Sequence, residues 1–254
     1  MSAPNRKKDD ICHLYKIPNT LNRVERLFFV IDFIAALISL HNNHLVRSFA
    51  VSIQIMSAFL YFILNVVDDG HFWYKAEKAR RRNGIENGLG VRFSELETDG
   101  YYNNDCATSI EKYALNLLES NLYSKEISGK MIVFGIIKSG IAVIVLLLAY
   151  RFVDDYELLL IIAQTVFSAY IFVDTVMLLL YKARMENLFD EGYLALITPG
   201  VNNKSKEAVF LAYTVEYEAI KAHYKIRLDE RIFNKNKEEY DKQWKQILSH
   251  KKAD

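Results

Sequence analysis

Four apolar runs restrict the fold of this 254-residue chain more than any other feature. Met131 to Tyr150 is 20 residues long and Leu158 to Tyr181 is 24. Each can cross a hydrocarbon core of ~30 Å as a helix rising ~1.5 Å per residue. Leu45 to Val67 is a third run, of 23 residues, with Arg47 near its start. The first run, Leu27 to Leu40, has only 14 residues and contains Asp32; extended back to Val24 it reaches 17. That is just enough to span, although alone it could equally be a buried helix or a re-entrant segment. Bulk composition hides this pattern. Hydrophobic residues at 51%, charged residues at 25% and a net charge of +1 are averages over sharply separated stretches. They exclude a disordered or collagen-like chain, and the near-zero net charge gives no support for nucleic-acid binding through bulk electrostatics.

Charge bias sets the direction. The connections His41 to His44 and Arg151 to Glu157 are short, so the runs pair into two helical hairpins. Lys and Arg near the ends of the runs decide orientation. Six lie in the first 26 residues (Arg6, Lys7, Lys8, Lys16, Arg23, Arg26) and five follow the second run (Lys75, Lys78, Arg80, Arg81, Arg82). Lys112, Lys125 and Lys130 precede the third run, and Lys182 and Arg184 follow the fourth, whereas the hairpin tips hold only Arg47 and Arg151. Sixteen against two puts both termini and the central loop in the cytoplasm. A three-span arrangement would send a basic segment outside. The expectation is an all-α, multi-pass protein of a bacterial inner membrane, with four transmembrane helices in two hairpins plus a helical cytoplasmic domain. Its parts are a cytoplasmic N-terminal segment (1–23), hairpin 1 (24–67), a cytoplasmic loop with a helix (68–130), hairpin 2 (131–181) and a cytoplasmic helical tail (182–254). No signal peptide is expected, because further spans follow the first run without a small-residue cleavage site. Cys12 and Cys106 fall on the cytoplasmic side and are expected to be free thiols.

The extramembrane parts carry their own signals. Asn83-Gly84, Asn87-Gly88 and Gly90 predict interruption of any helix in the first half of the central loop. Asn104 or Asp105 could then cap a helix bearing Ile110, Ala114, Leu117 and Leu118 on one face, with a break near Gly129 before the third span. The tail turns at Pro199-Gly200. From Ser205 a long helix is predicted, because Val209, Tyr213, Tyr217, Ile220, Tyr224, Leu228 and Ile232 recur at spacings of three and four. This stripe fits docking on the central-loop helix, or else a contact with a subunit or partner. Residues 95–130 hold seven acids and three bases and 204–254 twelve bases and nine acids, which agrees with internal docking.

Ionisable groups inside the runs are the most informative single residues. One at the centre of a span costs ~2.5–3.5 kcal/mol on insertion scales, so such groups face partners or water. Lys138 and Asp174 each lie seven residues in from the cytoplasmic end of their runs, at a depth of ~10 Å. Asp32, five residues in, is at nearly that level, while Gln54 and Gln164 share the outer half. One reading is a Lys138–Asp174 ion pair locking two helices, with Asp32 reaching back to the interface. The other is a polar lining, a gate in an oligomeric pore, or a proton path.

Catalytic signatures are lacking. There is no G-x-x-x-x-G-K-[ST] loop, H-E-x-x-H, G-x-S-x-G or paired C-x-x-C. His41 and His44 are too few to hold a metal, Asp68-Asp69 beside His71 is a similar case, and no cofactor is expected. Arg80–Arg82 fits an anchor against anionic headgroups better than a nucleotide site. Tyr101, Tyr102 and Asn103, in a turn-forming stretch, and Tyr213, Tyr217 and Tyr224 of the tail are candidates for a sensing or partner surface.

Several of these segments occur in an order that resembles a known family. Lys75-Ala76-Glu77-Lys78 with the arginine run leads into Ile85-Glu86-Asn87-Gly88-Leu89-Gly90. Gly100-Tyr101-Tyr102-Asn103-Asn104 follows, then Leu115-Asn116, Glu119-Ser120-Asn121 and a third span entered through Lys130-Met131. The order is similar to that of four-transmembrane effector proteins of bacterial anti-phage systems, such as those accompanying cyclic-oligonucleotide synthases, and retron-associated membrane effectors share the general design. The resemblance implies a non-enzymatic, pore-forming toxin. It would be held inactive until infection is sensed, and would then perturb the inner membrane to give abortive infection. It further implies a homo-oligomer in the lipid bilayer with a cytoplasmic sensor or regulatory partner, triggered by a small-ligand or nucleic-acid signal. A non-toxic membrane adaptor that scaffolds a partner through the tail helix, and a lipid-active enzyme using interfacial carboxylates, are the other readings of the residues.

Overall fold

The computed structural model describes residues 8–93, 95–96, 98–99, 102–152, 154–167, 169–198 and 205–252. Arg6, Lys7, Gly100, Tyr101 and the Pro199-Gly200 turn lie outside the described residues. Eight α-helices follow one another among the described residues: α1 (Lys16–Ile38), α2 (His44–Val67), α3 (Tyr74–Leu89), α4 (Ile110–Phe152), α5 (Tyr156–Val166), α6 (Asp174–Leu196), α7 (Lys206–Tyr224) and α8 (Glu230–Lys252). A two-residue strand β1 (Lys8–Asp9) pairs antiparallel with β2 (Thr98–Asp99). Single π turns, Asp68–Trp73 and Ala169–Val173, join α2 to α3 and α5 to α6. Among the described residues three helical stretches are therefore long and apolar enough to cross a membrane: His44–Leu89, Ile110–Phe152 and Tyr156–Leu196. Helix α1 has 23 residues, but Arg23, Glu25, Arg26 and Asp32 interrupt its apolar character.

The chain divides into two compact units. The first comprises Ile11–Ala79 and Gly135–Thr175. Within it α1 and α2 form a hairpin, and Asn43 caps α2 by accepting from the Leu45 and Val46 N–H groups (2.9 and 3.4 Å). The buried positions of these two helices are mostly small: Ala35, Ala36, Ala50 and Ser57. Large apolar side chains point outward instead, with Leu45 79% and Phe49 70% exposed. The same holds along α4, where Ile137, Ile141, Ile144, Leu147 and Leu148 are all exposed. Small residues inside and large apolar ones outside is the distribution expected of helices packed in lipid.

The second unit comprises Met1–Asp10, Arg80–Phe134 and Val176–Asp254. It is built like a water-soluble protein. Leu115, Leu117 and Leu118 of α4, Tyr181, Met185 and Leu188 of α6, Tyr217 of α7 and Trp244 of α8 are almost or wholly buried in one core. Each fully buried large apolar side chain contributes ~1.5–3 kcal/mol. At the edge of this core Arg80 donates a bidentate pair to Glu218 of α7 (3.1 and 2.6 Å), and Arg81 Nε adds a contact at 3.4 Å. Two of the three arginines expected at the headgroups are thus committed to an internal ion pair.

Several predicted boundaries are corrected here. The Asn-Gly pairs do not break α3, which runs through them to Leu89 and ends where Gly90 takes a φ of +70°. Gly88 is there for closeness: a Cβ on it would meet Tyr113 Cβ at 2.4 Å and Cα at 2.6 Å, so α3 and α4 touch backbone to side chain. Helix α4 starts at Ile110, not near Asn104, because Ser109 Oγ accepts from the Lys112 N–H (3.1 Å). It continues past Gly129 without a break to Phe152. The long tail helix is two helices. Lys225, in the left-handed region at φ 49°, ends α7, so Leu228 and Ile232 lie beyond it.

The glycine geometry makes a contrasting pair of predictions. Gly88→Ala is expected to lower stability by ~1–3 kcal/mol through overpacking. Gly84→Ala, whose Cβ would find nothing nearer than Tyr113 Cε2 at 3.5 Å, is expected to raise it by ~0.5–1 kcal/mol through helix propensity. Thermal melting of the detergent-solubilised chain checks both.

Candidate functional site

The first candidate is the polar group set in the apolar helices of the first unit. Lys138 Nζ of α4 lies 3.4 Å from Asp174 Oδ2, at the start of α6, and the two side chains are 43% and 52% exposed. Beside them a hydroxyl cluster joins the same two segments. Ser139 Oγ lies 2.8 Å from Thr175 Oγ1, and both donate to the Ile171 carbonyl inside the π turn (3.1 and 2.9 Å). Thr175 Oγ1 also lies 3.2 Å from the Gly135 carbonyl. A side chain at Gly135 would reach within 3.2 Å of Thr175, so glycine permits this approach. A π turn leaves part of the backbone ladder shifted, and such turns concentrate at functional positions. Here hydroxyls take up the displaced carbonyl.

The remaining members of the polar layer are placed separately. Asp32 of α1 is half-buried and hydrogen-bonds with Ser57 of α2. Gln54 is half-buried and Gln164 exposed. The structure brings together Lys138 and Asp174; it gives Asp32 a partner within its own hairpin.

The second candidate lies in the second unit, and sequence reasoning named its members without seeing their roles. Glu119 of α4 is 1% exposed. Its Oε2 accepts from the Asn103 N–H (3.0 Å), and its Oε1 from Asn103 Nδ2 (2.6 Å). Asn104 Nδ2 donates to Asn116 Oδ1, and Asn116 Nδ2 donates to Asn87 Oδ1 (3.0 Å). Thr98 donates to Asn83 (2.5 Å). One face of α4 thus holds the segment before it and helix α3 through a row of side-chain amides. Asn121, wholly buried, turns its amide so that Nδ2 donates to the Met185 carbonyl (3.0 Å) and Oδ1 accepts from the Phe189 N–H (3.1 Å). The Tyr213 hydroxyl lies 3.3 Å from that amide.

These contacts redefine the aromatic candidates. Tyr213 and Tyr217 are core residues, 5% and 2% exposed, and present no surface. Burial pushes the Tyr217 phenol up to about 12. Tyr224 packs edge-on against Tyr181 with ring centres 6.0 Å apart. Tyr102 is half-buried, Asn103 serves Glu119, and Tyr101 lies outside the described residues. Cys12 is exposed and Cys106 half-buried, and no disulfide joins them. Among the described residues no group of three or more His, Cys, Asp or Glu is placed to hold a metal ion.

Proton count singles out one triplet. The Tyr123 hydroxyl is 2.9 Å from Glu119 Oε1 and 2.7 Å from Asp241 Oδ1 of α8. One hydroxyl has one hydrogen, so it cannot donate fully to both carboxylates, and a proton on one carboxyl would complete the second bond. Burial pushes Glu119 above the ordinary carboxylate range; hydrogen bonds from Asn103 and Tyr123 oppose the rise and the charge of Asp241 adds to it. Glu119 is thus the carboxyl whose surroundings favour holding that proton. A group that binds more protons folded than unfolded makes stability fall as pH rises from its unfolded pKa towards its folded one. Melting temperature is expected to decline as pH rises above the ordinary glutamate range, and Glu119→Gln is expected to flatten that slope. A slope unchanged by the substitution would place the proton elsewhere.

No protein-family model matches the chain, and neither a curated protein nor a solved structure matches it.

Proposed function

We propose that this chain is a membrane effector of bacterial anti-phage defence, acting by perturbing or permeabilising the inner membrane when a partner signal activates it. In this reading all four apolar segments span, including α1, both termini are cytoplasmic, and several copies assemble in the bilayer. The motif order quoted above, from Lys75 to Met131, supports the family. The observation that carries the membrane activity is the Lys138–Asp174 pair, half-exposed on helices whose neighbouring side chains are apolar and exposed. A charge facing hydrocarbon costs ~2.5–3.5 kcal/mol on insertion scales, and an ion pair offsets only part of such a penalty. Lining a hydrated path between copies removes the remainder, because both groups then meet water.

The neighbouring π turn and hydroxyl cluster supply a local means of movement. A one-residue shift from π to α geometry would rotate α6 relative to its own π segment and carry Asp174 with it. Signal reception belongs to the second unit in this scheme, through a cytoplasmic partner, and the chain carries out no chemistry of its own.

The test is membrane potential and dye entry in bacteria that express the chain with its genomic neighbours, before and during phage challenge. Wild-type cells are expected to depolarise on challenge. Cells carrying Lys138→Leu with Asp174→Leu, at equal protein level, are expected to hold their potential; a pair that only locks two helices would tolerate this apolar swap. An unchanged potential in challenged wild-type cells that still resist phage would overturn the proposal.

A further inference from the structure

Helix α7 is apolar on two opposite sides, and the second unit covers only one of them. Phe210, Tyr213, Thr214, Tyr217 and Ile220 face the core. The other side carries Ala208, Leu211, Ala212, Val215, Ala219 and Ala222, every one exposed, with Leu211 at 54% and Val215 at 60%. These residues recur at helical spacing and form a second stripe along the full helix. A helix apolar nearly all round belongs in an interior, so this face is built for a further layer. Its setting in a water-soluble type of core distinguishes it from the apolar faces of the first unit.

We infer that the outer face of α7 is a contact between two copies of this chain, packed antiparallel about Val215. Three observations select that occupant. Val215 is the midpoint of Lys206–Tyr224, so an antiparallel mate centred there overlaps the whole helix. In that register Leu211 lies opposite Ala219 of the other copy, and Ala208 opposite Ala222. Val215 meets its own copy at the centre, and on either side of it large meets small and small meets small, which lets the two helices approach closely. The charges agree: α7 has Glu207 in its first turn and Lys221 and His223 in its last. Antiparallel packing brings the acid of each copy to the basic end of the other and opposes the two helix dipoles. A parallel pair would set Glu207 against Glu207. An anionic lipid surface is disfavoured by Glu207 and Glu216, which flank the face. Glu218 is unavailable for either arrangement, being held by Arg80 and Arg81.

This contact adds to the oligomeric reading above without depending on what the assembly does to the membrane. Site-directed cross-linking of the full chain in detergent and in native membranes tests it, with Cys12 and Cys106 replaced by Ser and the melting temperature checked. Val215→Cys is expected to give a cross-linked dimer under mild oxidation. Ala208→Cys and Ala222→Cys are each expected to cross-link poorly alone and efficiently when the two proteins are mixed before assembly. Leu211→Glu with Val215→Glu, two exposed substitutions, is expected to lower the mass of the solubilised particle with an unchanged melting temperature. Efficient Ala208→Cys self-cross-linking would overturn the antiparallel register. Absence of a Val215→Cys dimer, while maleimide still labels that thiol, would overturn the contact even if the chain remains oligomeric through its apolar helices. Blocked labelling of Val215→Cys in monomeric particles would assign the face to another occupant and equally overturn it.

Discussion

A large apolar side chain on the outside of a helix needs surroundings other than water, and this requirement organises the whole chain. Within Ile11–Ala79 and Gly135–Thr175 the usual order is inverted along the apolar helices: Ala35, Ala36, Ala50, Ser57 and Ser139 lie at buried positions while most leucines, isoleucines and phenylalanines face out. Association of such helices cannot rest on a difference in hydrophobicity between inside and outside. It rests on close approach and on hydrogen bonds, which is why Gly135, Ser139 and Thr175 matter there more than any leucine. Water-soluble packing takes over in the other unit, where the same helix α4 turns Leu115, Leu117 and Leu118 into a core.

Helix α4 belongs to both units, and its residues change accordingly. Between Ile110 and Phe134 it is laced with amides and a carboxyl that organise the loop before it and the helices around it. Buried polar groups carry a penalty unless each is satisfied, and here Asn87, Asn103, Asn104, Asn116 and Glu119 satisfy one another. Such a layer gives little net stability but admits few alternative arrangements. Between Gly135 and Ala149 the polar residues thin out to Lys138 and Ser139, the two that meet the π turn and its successor residues.

Run length and alternation of apolar with charged stretches made the helical class and the membrane-length segments readable from residues alone. Lys138 and Asp174 were also legible, because two charges at equal depth in neighbouring runs have few destinations. The interior of the second unit was less so. Asn-Gly pairs normally signal turns, yet Gly88 is set by Tyr113 of a helix 25 residues further on, a tertiary demand that local propensity does not carry. The stripe from Val209 to Ile232 read as one helix because the turn at Lys225 keeps the spacing nearly in phase. Tyr213 and Tyr217 fitted either internal docking or a partner surface, since tyrosine is at home on either side of an interface; the core takes both, and Gly192 leaves room for Tyr213 at α6. Glu119 and Asn116 stood out only by order along the chain. Their spacing of three on one helix face, bordering the apolar stripe, is the signal that could have marked a polar layer there.

The claim on which everything else rests is that the apolar helices cross a membrane as two hairpins with the second unit on one side. Single-cysteine accessibility in intact cells tests it most directly, using an impermeant maleimide and the exposed connection positions 42 and 154. The account predicts that Asn42→Cys and Asp154→Cys are labelled from outside, whereas Cys12 reacts only after the inner membrane is opened. Labelling of Cys12 in intact cells, or protection of position 42 with position 154 exposed, would contradict the two-hairpin arrangement and return α1 to the membrane surface.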